Sequence, residues 1–289
     1  MIRRAVVVGG SGAVGGLFVS CLASSDVEVL VVDGRPPEDG RLRYEQGDIT
    51  DLGPHLAEEL AAADLVLLAV PEPVAVAAVK AVAAVLRPDA LLVDTLSVKQ
   101  RIVAALRADA PGVEALSLNP MFAPSLGFEG RPVATVVVHD GPAARSLLDL
   151  IRLWGGRVVP VTSQEHDRLA GATQALTHAA VLGFGLALGG LGVGAAESRQ
   201  IAPPPHQVLL AMLARITAGT PEVYWDVQAA NPEAAAARQA LADGVRRIAD
   251  LLATGTEEDF AAALHEVRDG FGPELQHYRD LCARLFESV

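Results

Sequence analysis

The chain has 289 residues, which is enough for one large domain or two ordinary ones. Its residues are 51% hydrophobic and 20% charged, a composition that supports a sizeable core and argues against extensive disorder. The formal net charge of −12 argues against a nucleic-acid partner, because no basic stripe is present to neutralise phosphates. There are only two cysteines, and the first predicted strand follows Met1 almost directly. We therefore expect no disulfide framework, no signal peptide and a cytoplasmic location.

A glycine-rich turn near the N-terminus has the spacing of a dinucleotide-binding fingerprint. The apolar run at residues 5–8 predicts a strand, Gly10, Gly12 and Gly15 follow as G-x-G-x-x-G, and an apolar helical pattern comes next. A second predicted strand ends at Asp33, where a carboxylate would bind both ribose hydroxyls of NAD. Arg35 would suit the 2′-phosphate of NADP, but Asp33 would repel that phosphate, so we predict NAD and regard NADP as less favoured. The predicted cofactor site comprises Gly10, Ser11, Gly12, Ala13, Val14, Gly15, Asp33, Arg35, Val70, Pro71 and Ser97.

Predicted strands and helices alternate through the first half of the chain, a pattern typical of a doubly wound parallel sheet of the Rossmann type. Further strands are predicted at 64–70, 90–94, 114–118, 132–139 and 157–161, with a polar loop at 34–47 and a helix opened by residues 95–99. The carboxyl ends of parallel strands share one edge of a sheet, where ligands bind. We place the domain boundary near Thr162, which divides a dinucleotide-binding domain, 1–162, from an all-helical substrate and dimerisation domain, 163–289.

The second half of the chain has helical patterning throughout. Residues 162–165 form a predicted capping box, and the helices are interrupted at 203–205, 220–221 and near 231–232. Residues 175–196 carry no Asp, Glu, Lys or Arg and are long enough to cross a bilayer. Many glycines lie in this stretch, so we interpret it as a helix buried on all sides inside a protein and not as a membrane span.

Five polar residues stand out as candidates for chemistry, and no motif for a metal site or a serine nucleophile is present. Ser97 could contact substrate or cap a helix, and Asn119 follows a strand in an Asn-Pro pair that favours a loop. His166 is predicted to lie on the surface. His178 is either a core histidine or a functional one, and Arg215, on an apolar helix, is either a carboxylate clamp or a structural ion-pair partner.

Several segments resemble the prephenate/arogenate dehydrogenase family over nearly the whole chain: GGSGAVGGLF, DLVLLAVP, DTLSVK, NPMFAPSLG, LIRLWGGRV, SQEHDRLAGATQALTHA and AMLARITAGTPEVYWD. The resemblance implies NAD(P)-dependent oxidative decarboxylation of a cyclohexadiene carboxylate by a homodimer formed through the C-terminal helices. It implies catalytic positions at Asn119, Ser97 and His178, with Arg215 gripping the ring carboxylate. Those four residues, together with Gln174 and Thr177, form the predicted substrate site.

The chain departs from the family pattern at the catalytic position. The family has a histidine that accepts a hydrogen bond from the 4-hydroxyl of the substrate, whereas this chain has Asn119, which cannot accept a proton near neutral pH. The sequence therefore favours 4-amino-4-deoxyprephenate as substrate, because nitrogen stabilises an adjacent cation better than oxygen does. That substrate would place the protein in secondary metabolism. A prephenate or arogenate dehydrogenase with a substitute base, and a cofactor-binding homologue without turnover, remain as alternatives.

Overall fold

The computed structural model describes residues 1–219 and 221–288, and the chain divides into two compact units, Met1–Ala170 and Gly171–Val289. The domain boundary predicted from the sequence lies slightly earlier, near Thr162. The helix that begins at Ser163 continues past Ala170, so its first two turns belong to the first unit. Of the predicted features, Thr220 at one helix break and Val289 at the chain end lie outside the described residues.

The first unit is built on one eight-stranded sheet with the order β3-β2-β1-β4-β5-β6-β7-β8. The strands are β1 (Arg4–Val8), β2 (Glu28–Val32), β3 (Arg43–Glu45), β4 (Leu65–Leu68), β5 (Leu91–Asp94), β6 (Glu114–Pro120), β7 (Pro132–His139) and β8 (Arg157–Pro160). Neighbouring strands run parallel except β6 and β7. This confirms the predicted Rossmann-type sheet but corrects the direction of β7 and β8, which run opposite to the other six strands. Residues 121–131 between β6 and β7 hold only a short 3₁₀ turn, and a parallel return needs a crossover of about a dozen residues or more.

Five helices cover the two faces of this sheet: α1 (Ala13–Ala23), α2 (Pro54–Ala62), α3 (Glu72–Val85), α4 (Gln100–Asp109) and α5 (Pro142–Leu153). A sixth, α6 (Ser163–Ala170), packs against α4. Successive residues of a strand point to opposite faces, so Val6 and Val8 of β1 join one core while Ala5 and Val7 join the other. The first core is completed by α2, α3 and α4, and the second by α1 and α5. Packing on both faces explains the continuous apolar runs of the central strands.

Three local features of the first unit differ from the sequence prediction. The predicted polar loop at 34–47 contains β3, an edge strand of three residues that is too short to show an alternating pattern. Residues 95–99 do not open α4, which begins at Gln100. Strand β6 does not end at Leu118 but continues through Asn119 and Pro120, and Asn119 pairs with Ala134 of β7. Asn119 therefore lies on a strand, not in the loop that the Asn-Pro pair predicts.

The second unit is entirely helical over its described residues, as predicted. A π-helical turn, Gly171–Ala175, leads into α7 (Leu176–Gly190), α8 (Ala195–Ser198), α9 (Pro204–Thr217), α10 (Pro221–Ala229), α11 (Ala234–Thr254), α12 (Glu257–Asp269) and α13 (Leu275–Phe286). Its buried apolar cluster is small, formed among the described residues by Ala175, Val227 and Ala234. Much of the apolar surface of these helices is consequently left open in the single chain.

The predicted burial of the charge-free helix is wrong for the single chain. Within α7 only Val181 is buried, and Leu186 is 80% exposed. The continuous helix Ser163–Gly190 is long and apolar enough to span a bilayer by length and composition, and 22% of its apolar window is buried. Small residues favour close helix packing, but three of the four glycines of α7, Gly183, Gly189 and Gly190, have open space where a side chain would begin.

Candidate active site

The turn between β1 and α1 leaves no room for a side chain at Gly9 or Gly15. Gly9 has φ of +78°, in the left-handed region, and a Cβ on Gly15 would lie 2.2 Å from the carbonyl oxygen of Gly9. Close contact between the turn and the first turn of α1 therefore requires glycine at both positions. Among the described residues, no side chain caps α1 at Gly12, so the N–H groups of its first turn remain available to an anion.

Asp33 lies at the end of β2 and is tied to this turn. One of its carboxylate oxygens accepts the N–H of Ser11 at 3.0 Å, and the other accepts the N–H of Arg35 at 3.2 Å. The Ser11 hydroxyl donates in turn to the carbonyl of Arg35 at 2.7 Å. These bonds hold an acidic group beside the glycine turn, at the position where a ribose with free hydroxyls would be recognised.

A cavity of about 470 Å³ opens between the turn and Asp33. Its lining includes five of the predicted cofactor residues, Gly12, Asp33, Arg35, Val70 and Pro71. The other predicted cofactor residues, which do not line it, are Gly10, Ser11, Ala13, Val14, Gly15 and Ser97. The cavity is also lined by residues 47–49 after β3, which the sequence did not single out because that strand was missed. Volume, acid and uncapped helix together fit the adenosine and diphosphate portions of NAD.

A buried ion pair joins the ends of β5 and β6. Nζ of Lys99, which is completely buried, donates to Oδ1 of Asp94 at 2.9 Å and to the carbonyl of Leu118 at 2.6 Å. Burial lowers the pKa of Lys99, while the nearby charge of Asp94 acts in the opposite direction. The second contact fixes the peptide that immediately precedes Asn119, so Lys99 helps to set the position of this predicted catalytic residue. No local sequence pattern points to this role, since a lysine after a strand is ordinarily exposed.

Asn119 is hydrogen-bonded to a histidine from α6. Its Nδ2 lies 3.0 Å from Nε2 of His166, and both residues are 3% exposed. Nδ1 of His166 lies 2.8 Å from Oδ1 of Asp167, which is fully buried. The prediction that His166 lies on the surface is therefore wrong, because its position near a helix start does not show which face of α6 is buried.

Asp167 is held by the start of α4. Its two carboxylate oxygens accept the backbone N–H groups of Lys99 at 2.8 Å and Gln100 at 3.0 Å. Burial acts to raise the pKa of Asp167, but the hydrogen bonds from His166 and from these two amides outweigh it, so the pKa is lowered overall. The carboxylate is therefore ionised at neutral pH and fixes the proton of the histidine on Nδ1.

Ser97 lies in the loop before α4 and is half-buried. It does not cap α4, because that helix begins three residues later and receives its carboxylate from Asp167. Over residues 1–219 and 221–288 its hydroxyl has no hydrogen-bond partner. The capping interpretation is wrong, and the substrate-contact interpretation stays a prediction.

The second unit carries polar groups of its own near the start of α7. Nδ1 of His178 and Oε1 of Gln174 are buried and have no hydrogen-bond partner among the described residues. The His178 ring meets the ring of Tyr224 edge-on, with centroids 5.0 Å apart. Burial and the charge of Arg215 lower the pKa of His178, so it is neutral at neutral pH. Unsatisfied polar atoms of this kind are expected where a ligand supplies the missing partners.

Arg215 is exposed on α9 and pairs with no carboxylate in the part of the chain that the structure describes. The structural ion-pair interpretation of Arg215 therefore has no support, whereas its charge does act on His178 within the same unit.

Thr177 is exposed and makes no hydrogen bond among the described residues. Tyr224 was missed from the sequence, where it reads as one aromatic residue of an amphipathic helix. No cluster of potential metal ligands occurs among the described residues.

Two family matches cover most of the chain. Residues 31–134 match "Prephenate dehydrogenase, nucleotide-binding domain", and residues 162–266 match "Prephenate dehydrogenase, dimerization domain". The chain belongs to the prephenate dehydrogenase family. The nucleotide-binding match includes Asp33 and the cavity residues 47–49, and the dimerization match includes His178 and Arg215.

Within the prephenate dehydrogenase family, the chain is 54% identical over 288 residues to a 4-amino-4-deoxyprephenate dehydrogenase of Streptomyces pristinaespiralis, covering 99% of this chain and 97% of that one. It is 27% identical over 277 residues to a probable arogenate/prephenate dehydrogenase of Methanocaldococcus jannaschii, covering 93% of this chain and 61% of that one. The Aquifex aeolicus prephenate dehydrogenase structure superposes with a TM-score of 0.74 at 18% identity, covering 92% of this chain and 98% of that one. The last likeness establishes the shared fold.

Proposed function

We propose that this protein is an NAD-dependent dehydrogenase that converts 4-amino-4-deoxyprephenate to 4-aminophenylpyruvate with loss of CO₂. The observation that carries the proposal is Asn119, held on β6 at the position where the family has its catalytic histidine, with its amide nitrogen engaged by His166. The 54% identity to a 4-amino-4-deoxyprephenate dehydrogenase supports the same substrate. An asparagine offers a neutral acceptor and no base, which suits an amine better than a hydroxyl.

The chemistry balances without a catalytic base. Bound NAD⁺ would supply the acceptor for the hydride lost from C4 of the ring, and the electron pair on the 4-amino nitrogen stabilises the resulting cation as an iminium. The bond from C1 to its carboxylate then breaks, CO₂ departs, and the released electron pair completes the aromatic ring. The nitrogen keeps both of its protons throughout, so Asn119 has only to accept a hydrogen bond from it. The reacting species is the neutral amine, because an ammonium group has no free pair to donate.

The remaining polar groups suit recognition of the two substrate carboxylates and the cofactor. Arg215 carries a charge without a protein partner among the described residues, and it is proposed to bind the ring carboxylate. His178 and Gln174 have unsatisfied buried atoms and are proposed to contact the substrate. Ser97, at the carboxyl edge of the sheet, is proposed to contact substrate or nicotinamide. Asp33 binds the ribose hydroxyls in the proposed cofactor complex.

The protein is proposed to act as a cytoplasmic homodimer. The second unit matches a family dimerization domain but leaves large apolar side chains open, with Leu186 80% and Trp225 71% exposed. These two residues line a largely apolar cavity of about 470 Å³ with Ala179, Leu182 and Gly183, and Gln228 and Arg238 line the same cavity. A second copy that covers this face would bury the helix that otherwise resembles a membrane span.

The deciding experiment measures NADH formation by the purified protein with 4-amino-4-deoxyprephenate, prephenate and arogenate side by side. We expect kcat/KM for the amine to exceed that for either 4-hydroxy substrate by at least about 10²-fold, the lower end of what a general base contributes. Equal values for the amine and prephenate would contradict the proposal. Mass analysis of the product distinguishes a 4-amino from a 4-hydroxy aromatic acid.

A further inference from the structure

His166 and Asp167 belong to no step of the proposed reaction, yet they are among the most deeply buried polar residues of the first unit. They connect the start of α4 to the side chain of Asn119 through hydrogen bonds of 2.8 to 3.0 Å. Lys99 completes this hydrogen-bond network, because its backbone N–H donates to Asp167 while its Nζ donates to the carbonyl of Leu118. A closed set of buried polar bonds of this kind permits few alternative arrangements.

This hydrogen-bond network determines which end of the Asn119 amide faces His166. Asp167 accepts from backbone N–H groups and from Nδ1 of His166, so the ring carries its proton on Nδ1 and presents a lone pair at Nε2. Only the Nδ2 end of the Asn119 amide can donate to that lone pair, at 3.0 Å. The reversed amide would set its carbonyl oxygen against the lone pair, which is repulsive.

The oxygen end of the amide is thereby left free. Oδ1 of Asn119 has no hydrogen-bond partner within residues 1–219 and 221–288. It is also not among the unpaired polar atoms of that part of the chain that are completely buried, so it remains partly accessible. It is therefore a pure acceptor, open to a ligand and held in one direction. An amine that becomes an iminium offers N–H donors before and after hydride loss, so the same acceptor serves both states.

We propose that His166 and Asp167 are positioning residues that lock the Asn119 amide with its carbonyl oxygen toward the substrate nitrogen, and that this orientation discriminates 4-amino from 4-hydroxy substrates. The inference rests on the proposed function for its substrate. Nitrogen stabilises the developing cation by itself and needs only a weak acceptor. Oxygen does so poorly and needs a basic partner, which an amide carbonyl is not.

The test compares three variants by the ratio of kcat/KM for 4-amino-4-deoxyprephenate to kcat/KM for prephenate. His166→Phe removes the acceptor for Asn119. Asp167→Asn replaces the charged acceptor that keeps the ring proton on Nδ1 with a neutral one, which leaves the His166 tautomer and the Asn119 amide free to reverse. Both should lower the ratio at least tenfold while the Kd for NAD stays within about twofold. His166→Gln can accept from Asn119 and donate to Asp167, so it should keep the ratio within about threefold. Arg168→Gln, exposed on the same helix, is the matched control.

A measurement independent of activity covers the case in which a variant does not fold. Nitrogen-15 NMR of the histidine rings should show His166 protonated on Nδ1 in the unmodified protein. A proton on Nε2 would overturn the proposal, as would folded His166→Phe and Asp167→Asn proteins that retain the ratio or lose both substrates equally. Failure of the proposed function is seen separately, in the unmodified protein, as a lack of preference for the amine. The NMR assignment still decides the positioning role in that event.

Discussion

The carboxylate of Asp167 accepts the backbone N–H of Lys99 at 2.8 Å, although the two residues are 68 positions apart in the chain. Helix α4 has no cap from its own sequence, and this carboxylate from α6 takes that place. The charge lies at the positive end of the α4 dipole, where it is favourable. One residue thus stabilises a helix start and orients His166.

Acid should weaken this contact. The folded pKa of Asp167 is lowered, so the stability it contributes is fully present above its unfolded pKa of about 3.9 and is lost as pH falls through the lower folded value. Asp167→Asn should lower the free energy of unfolding by about 1–3 kcal/mol at pH 7. The difference from the unmodified protein should shrink at pH 3, measured by urea unfolding. Asp149→Asn, exposed on α5, is the control, and an unchanged gap at both pH values would contradict the argument.

Asp33 should control the choice between NAD and NADP. Its carboxylate is fixed by the N–H groups of Ser11 and Arg35, so it recognises ribose hydroxyls and repels a 2′-phosphate. Asp33→Ser should weaken NAD binding about tenfold or more and narrow the gap to NADP, since a bond to a charged group contributes about 1.5–3 kcal/mol. Titration calorimetry with both cofactors provides the measurement. Asp39→Asn, in the exposed loop that follows, should leave both Kd values unchanged.

Arg215 should act on substrate binding and not on folding. A charge pair with a desolvated carboxylate that loses one partner costs about 2–5 kcal/mol, so Arg215→Ala should raise KM about 30-fold or more. Its side chain is exposed and unpaired among the described residues, so the free energy of unfolding should change by less than about 0.5 kcal/mol. Arg246→Ala on α11 is the control for loss of an exposed arginine. A variant that unfolds would instead identify Arg215 as a structural partner.

Replacing the amide with an imidazole should shift activity toward the hydroxyl substrate. Asn119→His restores a base of the family type and should raise kcat/KM for prephenate by about 10²-fold or more. Turnover of the amine should stay level or fall, because a protonated imidazole repels the iminium. Asn119→Leu, similar in size and without an acceptor, should lose activity on both substrates. In the unmodified protein, any limb of the pH–rate profile near neutrality should follow the substrate amine and not a residue at position 119.

The open apolar face of the second unit should be a subunit contact. Leu186→Glu places a charge beside Trp225 on this largely apolar surface and should convert a dimer to a monomer in analytical ultracentrifugation. Leu153→Glu is a matched control, since Leu153 is 77% exposed on α5 of the first unit. A Leu186→Glu protein that keeps the dimer mass would show that subunits meet elsewhere.

The sequence by itself determined the features that depend on neighbouring residues. The glycine spacing after β1 and the acid after β2 predict a nucleotide site because sterics and charge at those positions allow little else. Apolar runs and helical periodicity gave most strands and helices of the first unit, because burial on one or both faces leaves its period in the sequence. The replacement of the family's histidine by Asn119 is likewise visible in the sequence alone.

Only the tertiary structure decided the features that depend on distant residues. His166 reaches Asn119 across 47 positions, and nothing in its local sequence shows which face of α6 is buried. From the sequence Lys99 would be expected on the surface, whereas in the structure it is buried between the ends of β5 and β6. Strand β6 extends through Pro120 because β7 returns beside it in an antiparallel direction, which overrides the local turn preference. The open face of α7 has the same cause: composition records that a helix is apolar, whereas the packing of the chain decides whether that surface is covered.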